Sequence, residues 1–299
     1  MRILLLGANG QLGKELERQL SSVANVAAVP RESLDITNHN AVRDAVRCVR
    51  PNIIVNAAAY TAVDKAETDA DFAHAVNADA VADLAQIARE QSLWLFHYST
   101  DYVFDGSKQS PYLETDTPNP INVYGASKLA GETAIAAADC QHLIFRTTWV
   151  IGKDGHNFAK TILRLASERD ALKVIDDQIG VPTSPSLITR VTIDAIRAIK
   201  DHCVWPQGIY HLAPQGKTSW HEIARTLIAY AEQQRIPLRT HVSDIQAITT
   251  AEYPTAAKRP LNSQLDTHKL RSQLSFDLPH WKDDFLAVAS DIVKELETV

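Results

Sequence analysis

The sequence predicts an α/β protein built on a doubly wound parallel sheet, and three observations lead to that class. Short apolar runs alternate with longer stretches of helical periodicity throughout the first half. The runs are apolar on both faces, as in strands that lie between two layers of helices. The first run also leads directly into a glycine-rich turn and a helix, which is typical of a Rossmann-type fold.

The predicted elements follow a regular order up to residue 150. Strands are predicted at residues 2–6, 26–29, 53–56, 93–98 and 142–147. Helices are predicted at residues 11–22, 40–49, 66–90 and 124–138, with Thr37 or Asn38 as the cap of the second helix. Strands thus alternate with helices, which is the pattern of a parallel sheet.

The second half is less regular and predicts a smaller mixed lobe. Helices are predicted at residues 156–168, 185–200, 218–234 and 279–296, with short strands at 171–175 and 208–213 and a loop at 176–185. We therefore expect a dinucleotide-binding domain at residues 1–150 and a substrate-binding lobe at residues 151–299. Part of residues 185–213 is expected to pack back onto the first domain.

The composition excludes several classes of protein. A chain of 299 residues with 45% hydrophobic and 22% charged residues is typical of a globular protein. The net charge of −6 provides no basic surface for nucleic acid, and no apolar stretch is long enough to span a membrane. The first strand leaves no room for a signal peptide, and Cys48, Cys140 and Cys203 show no CxxC spacing. We expect a cytoplasmic protein with no nucleic-acid or membrane partner.

A glycine-rich turn connects the first strand to the first helix. Gly7, Gly10 and Gly13 have GxxGxxG spacing. Such glycines allow a tight turn, a close approach of the backbone to a pyrophosphate, and close packing of the helix on the strand. The free N–H groups of the helix N-terminus favour an anion. The alternative is a simple strand–helix connection, but the position after the first strand favours a dinucleotide site.

The end of the second strand bears on the choice of cofactor. Arg31 and Glu32 follow this strand, near the position where a dinucleotide site usually has an acid for the ribose hydroxyls. A guanidinium can pair with the 2′-phosphate of NADPH, whereas Glu32 would suit NADH. NADPH is therefore the expected cofactor, with NADH as the alternative, and a solvated arginine is the simplest other explanation. Asp35 and Ile36 follow where the adenine ring is expected.

A tyrosine and a lysine four residues apart begin the fourth predicted helix. Tyr124 and Lys128 lie on one face of that helix. A carbonyl reductase needs an acid that gives a proton to the oxygen, and a lysine cation nearby lowers the pKa of a phenol toward the working pH. Thr100, at the end of the fourth strand, could donate a hydrogen bond to the same oxygen. YxxxK alone is a weak signal, but its place at the sheet edge strengthens it.

Several segments together resemble the extended short-chain dehydrogenase/reductases. They are the GxxGxxG turn, residues 56–59, Ser99-Thr100 and the Tyr124/Lys128 pair. Within that family, the chain is similar to the branch that reduces the 4-keto group of dTDP-4-dehydro-β-L-rhamnose. The segments that carry this closer similarity are residues 56–67, 98–106, 122–132, 146–150, 177–183 and Arg259-Pro260.

The resemblance implies an activity and roles for individual residues. It implies hydride transfer from NAD(P)H to give dTDP-β-L-rhamnose, a precursor of bacterial surface polysaccharide such as the lipopolysaccharide O-antigen. Tyr124 would give the proton, with Lys128 as its partner and Thr100 on the carbonyl oxygen. The other implied cofactor contacts are Gln11, Leu12, Ala59, Tyr60, Thr61 and Tyr98, and the implied substrate contacts are Asp101, Trp149, Gln178 and Arg259.

The resemblance also raises the question of a metal and a dimer. Some members of the family hold Mg²⁺ through glutamates at a dimer interface. Glu15 matches one such position, but Ser186 stands where a second glutamate is expected. No metal is therefore expected, and a homodimer is expected from the resemblance alone.

Three alternatives stay open. A 4,6-dehydratase needs an Asp-Glu pair after the threonine, whereas here Asp101 is followed by Tyr102. A 4-epimerase or another 4-keto reductase is the next alternative, although the epimerase family lacks the segment at residues 100–104. The third is a non-catalytic NADP-binding regulatory subunit, and the intact Thr100, Tyr124 and Lys128 argue against it.

Overall fold

The computed structural model describes residues 1–201 and 205–297, so Cys203 lies outside the described residues. In chain order, the strands are β1 (Arg2–Leu6), β2 (Asn25–Val29), β3 (Ile53–Asn56), β4 (Trp94–Thr100), β5 (Gln141–Thr147), β6 (Leu172–Ile175), β7 (Ile179–Gly180), β8 (Gly208–Leu212), β9 (Thr218–Ser219) and β10 (Ile245–Ile248). The α-helices are α1 (Gln11–Leu20), α2 (His39–Val49), α3 (Val63–Ala66), α4 (Ala70–His74), α5 (Ala80–Glu90), α6 (Val123–Ala138), α7 (Phe158–Glu168), α8 (Pro185–Lys200), α9 (Trp220–Gln233), α10 (His268–Arg271) and α11 (Trp281–Glu297).

The centre of the fold is a six-stranded parallel sheet. Its strand order is β2-β1-β3-β4-β5-β8. Because the chain leaves β1 toward β2 and then crosses back to β3, the carboxyl ends of β1 and β3 flank the point where the strand order reverses. The predicted doubly wound α/β class is confirmed. Ligand sites in such folds lie outside the carboxyl ends of the strands, where the strand order reverses.

Helices cover both faces of this sheet. On one face, α1 and α8 bury Leu16, Leu20, Leu187 and Val191 in a common core. On the other, α2 and α5 bury their apolar sides against the sheet. Although they follow residue 150, α8 and β8 thus form part of the central layer system.

The rest of the second half forms a separate core. Helices α7, α9 and α11 bury apolar side chains around the parallel pair β6–β10, and β7 pairs with β9 in antiparallel orientation. Strand β10 has no counterpart among the predicted elements, because only Ile245 of its four residues is fully buried and the run carries too weak an apolar signal. Within the part of the chain that the structure describes, no helix combines the length and apolar character needed to cross a bilayer.

The predicted helix at residues 66–90 is interrupted. The structure divides the region into α3, α4, a π-helical turn at Ala75–Asp79, and α5. In the π turn, Asn77 donates from Nδ2 to Tyr60 O (3.0 Å) and accepts at Oδ1 from Tyr60 N (2.9 Å). Its Nδ2 also donates to Ser127 Oγ on α6 (3.0 Å). Apolar periodicity cannot reveal such a bulge, since the bulge is set by these polar contacts.

Helix α6 packs unusually close to its neighbours. A Cβ at Gly125 would overlap the carbonyl oxygen of Tyr102, and a Cβ at Gly131 would overlap that of Asn77. The next residue, the buried Glu132, receives three hydrogen bonds from the Arg146 guanidinium on β5, the shortest at 2.6 Å. These contacts fix both the depth and the rotation of α6 on the sheet.

Replacing Arg146 by Met should lower the free energy of unfolding by about 3–5 kcal/mol, because it leaves the Glu132 carboxylate buried without its partner. Urea-induced unfolding measures this. The double replacement Arg146→Met with Glu132→Leu should regain much of the loss. The exposed pair of Arg164 and Glu168 is the matched control, and Arg164→Ala should cost less than about 1 kcal/mol. An Arg146→Met protein as stable as the parent would contradict this account.

Candidate active site

The glycine-rich turn is pressed against the end of β3. Gly7 has a φ of +77°, and a Cβ on it would lie 2.6 Å from Ala58 N. A Cβ on Gly13 would overlap the carbonyl oxygen of Gly7. These two glycines are therefore required by the packing of the protein itself, which brings the start of α1 to the point where the strand order reverses.

The N-terminus of α1 lacks a side-chain cap that several other helices have. Side chains accept hydrogen bonds from the first turns of several helices, namely Asn38, Asn122, Asn157, Ser184 and Ser219. Gly10, the N-cap of α1, provides no such bond. A Cβ at Gly10 would meet only Gly7 O, at 3.5 Å, so no protein contact demands a glycine here. Open backbone N–H groups beside free space fit the phosphates of a dinucleotide.

The residues after β2 form a rim beside this turn. The guanidinium of Arg31 lies 5.5 Å from the centre of the Phe72 ring, whereas the Glu32 carboxylate accepts from Asn9 Nδ2 at 2.9 Å. Asp35 accepts from the backbone N–H of Thr37, which lowers the pKa of its carboxyl. Ile36 is buried. Glu32 is thus engaged by a side chain of the turn, while Arg31 extends along an aromatic face.

The other predicted cofactor contacts are held in different ways. Gln11 accepts at Oε1 from Gly152 N and Asn157 Nδ2, and Leu12 packs against the core. In the segment Ala59–Thr61, the Tyr60 backbone is fastened by Asn77. The Tyr98 phenol bonds to Thr192 at 2.8 Å inside the core, so this residue presents its carbonyl oxygen, and not its ring, to α6.

Tyr124 and Thr100 meet at the carboxyl end of β4. Tyr124 lies in the first turn of α6, and Asn122 caps that turn by accepting from Gly125 N at 2.7 Å. Burial raises the pKa of Tyr124 to about 12, and the neighbouring Thr100 hydroxyl partly offsets that rise. The edge of the Tyr102 ring packs on the Tyr124 ring at a centroid distance of 5.8 Å. The pair is the arrangement expected of a proton donor beside a hydroxyl.

One expectation about this pair is wrong in the structure. Lys128 was expected to lower the pKa of Tyr124, yet the pKa is raised. The reason is that Lys128 Nζ turns toward β4, where it donates to Tyr98 O at 2.7 Å and lies 3.1 Å from His97 Nε2. Desolvation of the phenolate therefore dominates, and the phenol keeps its proton at neutral pH. That protonation state suits an acid in a reduction.

Lys128 and His97 form a buried pair, of which the sequence predicts only Lys128 as a site residue. Lys128 is 1% exposed, and burial lowers its pKa to about 8. His97 is fully buried, and burial lowers its pKa well below the ordinary range. A histidine within an apolar strand, three residues before Thr100, was the signal available in the sequence.

Asp101 lies beside Thr100 at the same end of β4. Its carboxyl accepts from Thr100 Oγ1 at 3.1 Å. Burial raises the pKa of Asp101 to about 6, although the neighbouring hydroxyl groups of Ser263 and Thr100 oppose this. Ser263, from a distant part of the chain, carries no motif by which the sequence could have identified it.

The other predicted substrate residues form two further groups. Trp149 stacks on Trp220 at 3.9 Å, and Trp220 Nε1 donates to Gln178 Oε1 at 3.1 Å. Arg259 is instead paired with Asp64 at 2.6 Å. The stacked Trp149 and Trp220 rings, with the Gln178 amide beside them, offer a surface for a sugar or base. The Arg259 guanidinium is instead held in its orientation by the ion pair with Asp64.

The structure contains little that could hold a metal. Glu15 accepts from Arg18 Nη2 at 2.5 Å and from Gln19, and these hydrogen bonds lower the pKa of its carboxyl against the opposing effect of burial. Across residues 1–201 and 205–297, His, Cys, Asp and Glu form no group of three or more that could bind a metal ion.

Comparisons with known proteins agree with this geometry. The chain matches the family model described as the RmlD substrate binding domain over residues 1–293. It is 46% identical over 287 residues to the dTDP-4-dehydrorhamnose reductase of Escherichia coli (strain K12), which covers 94% of this chain and 95% of that protein. Among solved structures, the dTDP-4-dehydrorhamnose reductase of Bacillus anthracis in complex with NADP has a TM-score of 0.87 at 35% identity, over 96% of this chain and 98% of that one. The corresponding protein of Clostridium acetobutylicum has a TM-score of 0.88 at 35% identity, with 100% of both chains covered.

Two glycines of the turn should respond differently to alanine. Gly13→Ala should destabilise the fold, since its methyl group would overlap the Gly7 carbonyl. Gly10→Ala, at a φ of −74°, should fold normally but weaken dinucleotide binding by about tenfold or more, because the methyl group occupies the space beside the helix N-terminus. Thermal unfolding and fluorescence titration with NADPH measure the two effects. Unchanged NADPH affinity in a folded Gly10→Ala protein would show that the phosphates lie elsewhere.

Proposed function

The chain belongs to the RmlD substrate binding domain family, and we propose that it reduces dTDP-4-dehydro-β-L-rhamnose to dTDP-β-L-rhamnose with a hydride from NADPH. The activity and the cofactor expected from the sequence are confirmed by the relatives of the chain. The observation that carries the proposal for the site is the partly buried Tyr124 phenol, which lies beside the Thr100 hydroxyl at the carboxyl end of β4.

The reaction needs one hydride and one proton. The reduced nicotinamide, when bound, supplies the hydride to C4 of the sugar. Tyr124 gives its phenolic proton to the carbonyl oxygen, and the ketone becomes a secondary alcohol. When substrate is bound, the Thr100 hydroxyl turns its single proton from Asp101 to the same oxygen and stabilises the negative charge that develops there. The remaining phenolate lies one helical turn from Lys128, and the cationic form of Lys128 attracts it, although desolvation outweighs this attraction in the free protein and keeps the phenol protonated.

We assign the cofactor to the turn at the start of α1 and its rim. Gly7, Gly10 and Gly13 admit the pyrophosphate, and Arg31 receives the 2′-phosphate along the Phe72 face. The remaining proposed contacts are Gln11, Leu12, Asp35, Ile36, Ala59, Tyr60, Thr61, Tyr98, Tyr124 and Lys128. Both acids of the rim are engaged within the protein, Glu32 by Asn9 and Asp35 by Thr37, which supports the preference for NADPH over NADH.

The substrate is a dTDP-linked sugar, and we assign its contacts to both halves of the chain. Asp101 lies beside Thr100 and can bond a sugar hydroxyl. The stacked Trp149 and Trp220 rings, with Gln178, provide an aromatic wall. Arg259 is directed toward the diphosphate by its ion pair with Asp64. We further propose a division at about residue 150 into a cofactor domain and a substrate lobe, with Asp101 and Trp149 contacting the substrate from the first of these.

The cellular setting follows from the two reactants. NADPH and nucleotide sugars are made in the cytoplasm, and we infer that this chain works there.

The homodimer expected from the resemblance is a further proposal. The mass of the protein in solution tests it. This test is needed because Ser186 stands where a glutamate is expected and Glu15 is engaged by a side chain of its own helix.

Tyr124→Phe should lower kcat by about 10²- to 10⁴-fold while NADPH affinity changes little, because only the proton donor is removed. The assay follows NADPH oxidation with dTDP-4-dehydro-β-L-rhamnose and identifies the sugar product. Tyr102→Phe is the matched control, since it removes a neighbouring phenol that has no assigned proton transfer. Near-normal turnover by Tyr124→Phe would refute the assignment. NADPH binding without turnover of this sugar by the parent would favour another 4-keto sugar or a regulatory role.

Arg31→Ala should raise the KM for NADPH by about 10- to 100-fold and leave the KM for NADH nearly unchanged, because a charged pair with phosphate contributes roughly 1.5–3 kcal/mol. Steady-state kinetics with each cofactor measure the ratio. Equal effects on both cofactors would show that Arg31 does not contact the 2′-phosphate.

A further inference from the structure

Three buried side chains, one each on β3, β4 and α6, form a continuous row of polar contacts. Asn56, at the end of β3, places Nδ2 3.2 Å from Nδ1 of His97 on β4. The other ring nitrogen of His97, Nε2, lies 3.1 Å from Nζ of Lys128. All three residues are at most 1% exposed, so water does not share these contacts. The direction of each hydrogen bond therefore matters energetically.

The direction is set at the Asn56 end. The backbone N–H of Ala58 donates to Oδ1 of Asn56 at 3.1 Å, and a backbone N–H can only donate. Oδ1 is thus the acceptor, and the amide NH₂ group faces His97. Nδ1 of His97 must then accept. Because buried His97 is neutral, its single ring proton resides on Nε2.

The consequence falls on Lys128. An Nε2–H group directed at Nζ can be accepted only by a neutral amine, because an ammonium group has three donors and no lone pair. We propose that His97, held by Asn56, is a positioning residue that presents a proton to Lys128 and so disfavours the lysine cation. Lys128 then gains and loses its proton close to neutral pH. Burial lowers the pKa of Lys128 to about 8, in the same direction.

Other ionisable groups around Lys128 do not replace this contact. On α6 itself, Glu132 favours the cation but is engaged by Arg146 of β5. Tyr124 lies one turn earlier, and Asp101 acts on Tyr124. On β4, the Tyr98 phenol points away to Thr192, and its carbonyl oxygen accepts from Nζ whether the amine is charged or neutral. His97 is therefore the partner whose hydrogen bond favours the neutral amine of Lys128 over its cation.

The protonation state of Lys128 bears on the reaction, a step that rests on the proposed function. The cation is the form that stabilises the Tyr124 phenolate as it develops. Lys128 is cationic below its lowered pKa and loses the cation as pH rises through it. The value of kcat/KM should therefore fall as pH rises through about 8, and a change that turns His97 Nε2 into an acceptor should move that alkaline limb upward.

The first test does not depend on activity. Protein labelled with ¹⁵N-histidine and ¹³Cε-lysine reports, by NMR, which ring nitrogen of His97 is protonated and at what pH Lys128 titrates. We expect a neutral His97 with its proton on Nε2 between pH 6 and 9, and a lysine midpoint well below the ordinary 10.4, at about 8. A proton on Nδ1, or a charged imidazole, would overturn the proposal whatever the enzyme reduces.

The second test reverses the hydrogen bonds. In Asn56→Asp, one carboxylate oxygen keeps the Ala58 N–H and the other accepts from Nδ1–H, so Nε2 becomes an acceptor for the lysine ammonium. The Lys128 midpoint and the alkaline limb should both rise by about one unit or more. Asn122→Asp adds the same charge at the α6 cap without contact to His97 and should leave the His97 tautomer unchanged.

Two results of this second test would contradict the proposal. One is a reversed tautomer with an unchanged lysine midpoint. The other is an equal rise of the midpoint in both variants, which would attribute the shift to charge alone. If Asn56→Asp does not fold, the labelled parent protein still decides the direction of the hydrogen bonds. If the parent reduces no sugar but shows the expected tautomer, the proposed function fails and this inference stands.

Discussion

The close approach of α6 to the sheet is the constraint on which the candidate site depends. Gly125 and Gly131 leave no room for a Cβ against the carbonyls of Tyr102 and Asn77, and the Glu132–Arg146 pair fixes the rotation of the helix. A shift of α6 would move Tyr124 and Lys128 together, since both lie on this helix. Catalytic geometry is therefore a property of backbone packing here, and not of the two side chains alone.

Burial then sets the chemistry of the two groups in opposite directions. It raises the pKa of the Tyr124 phenol to about 12 and lowers that of Lys128 to about 8, because each shift favours the neutral form. The phenol holds a proton that it can give to a developing alkoxide, and the amine is poised to become charged. The low dielectric that produces both shifts would also strengthen the proposed hydrogen bond from Thr100 to the substrate oxygen.

Much of this architecture could be predicted from the sequence, but not all of the site. The parallel sheet, the turn at Gly7–Gly13 and the placing of Tyr124 after β4 follow from apolar periodicity and from local spacing. The π turn around Asn77 and the role of His97 do not, because hydrogen bonds between distant segments produce them. The sign of the Tyr124 pKa shift was also missed, since spacing alone does not show where Lys128 Nζ points.

The measurement that tests the central claim most directly is the fate of the transferred hydride. NADPH carrying deuterium at C4 of the nicotinamide, on the face that the enzyme uses, is incubated with dTDP-4-dehydro-β-L-rhamnose, and the sugar product is examined by NMR. The account predicts dTDP-β-L-rhamnose with deuterium at C4 of the sugar ring and nowhere else. Oxidation of NADPH without deuterium at C4, or deuterium at another carbon, would contradict it.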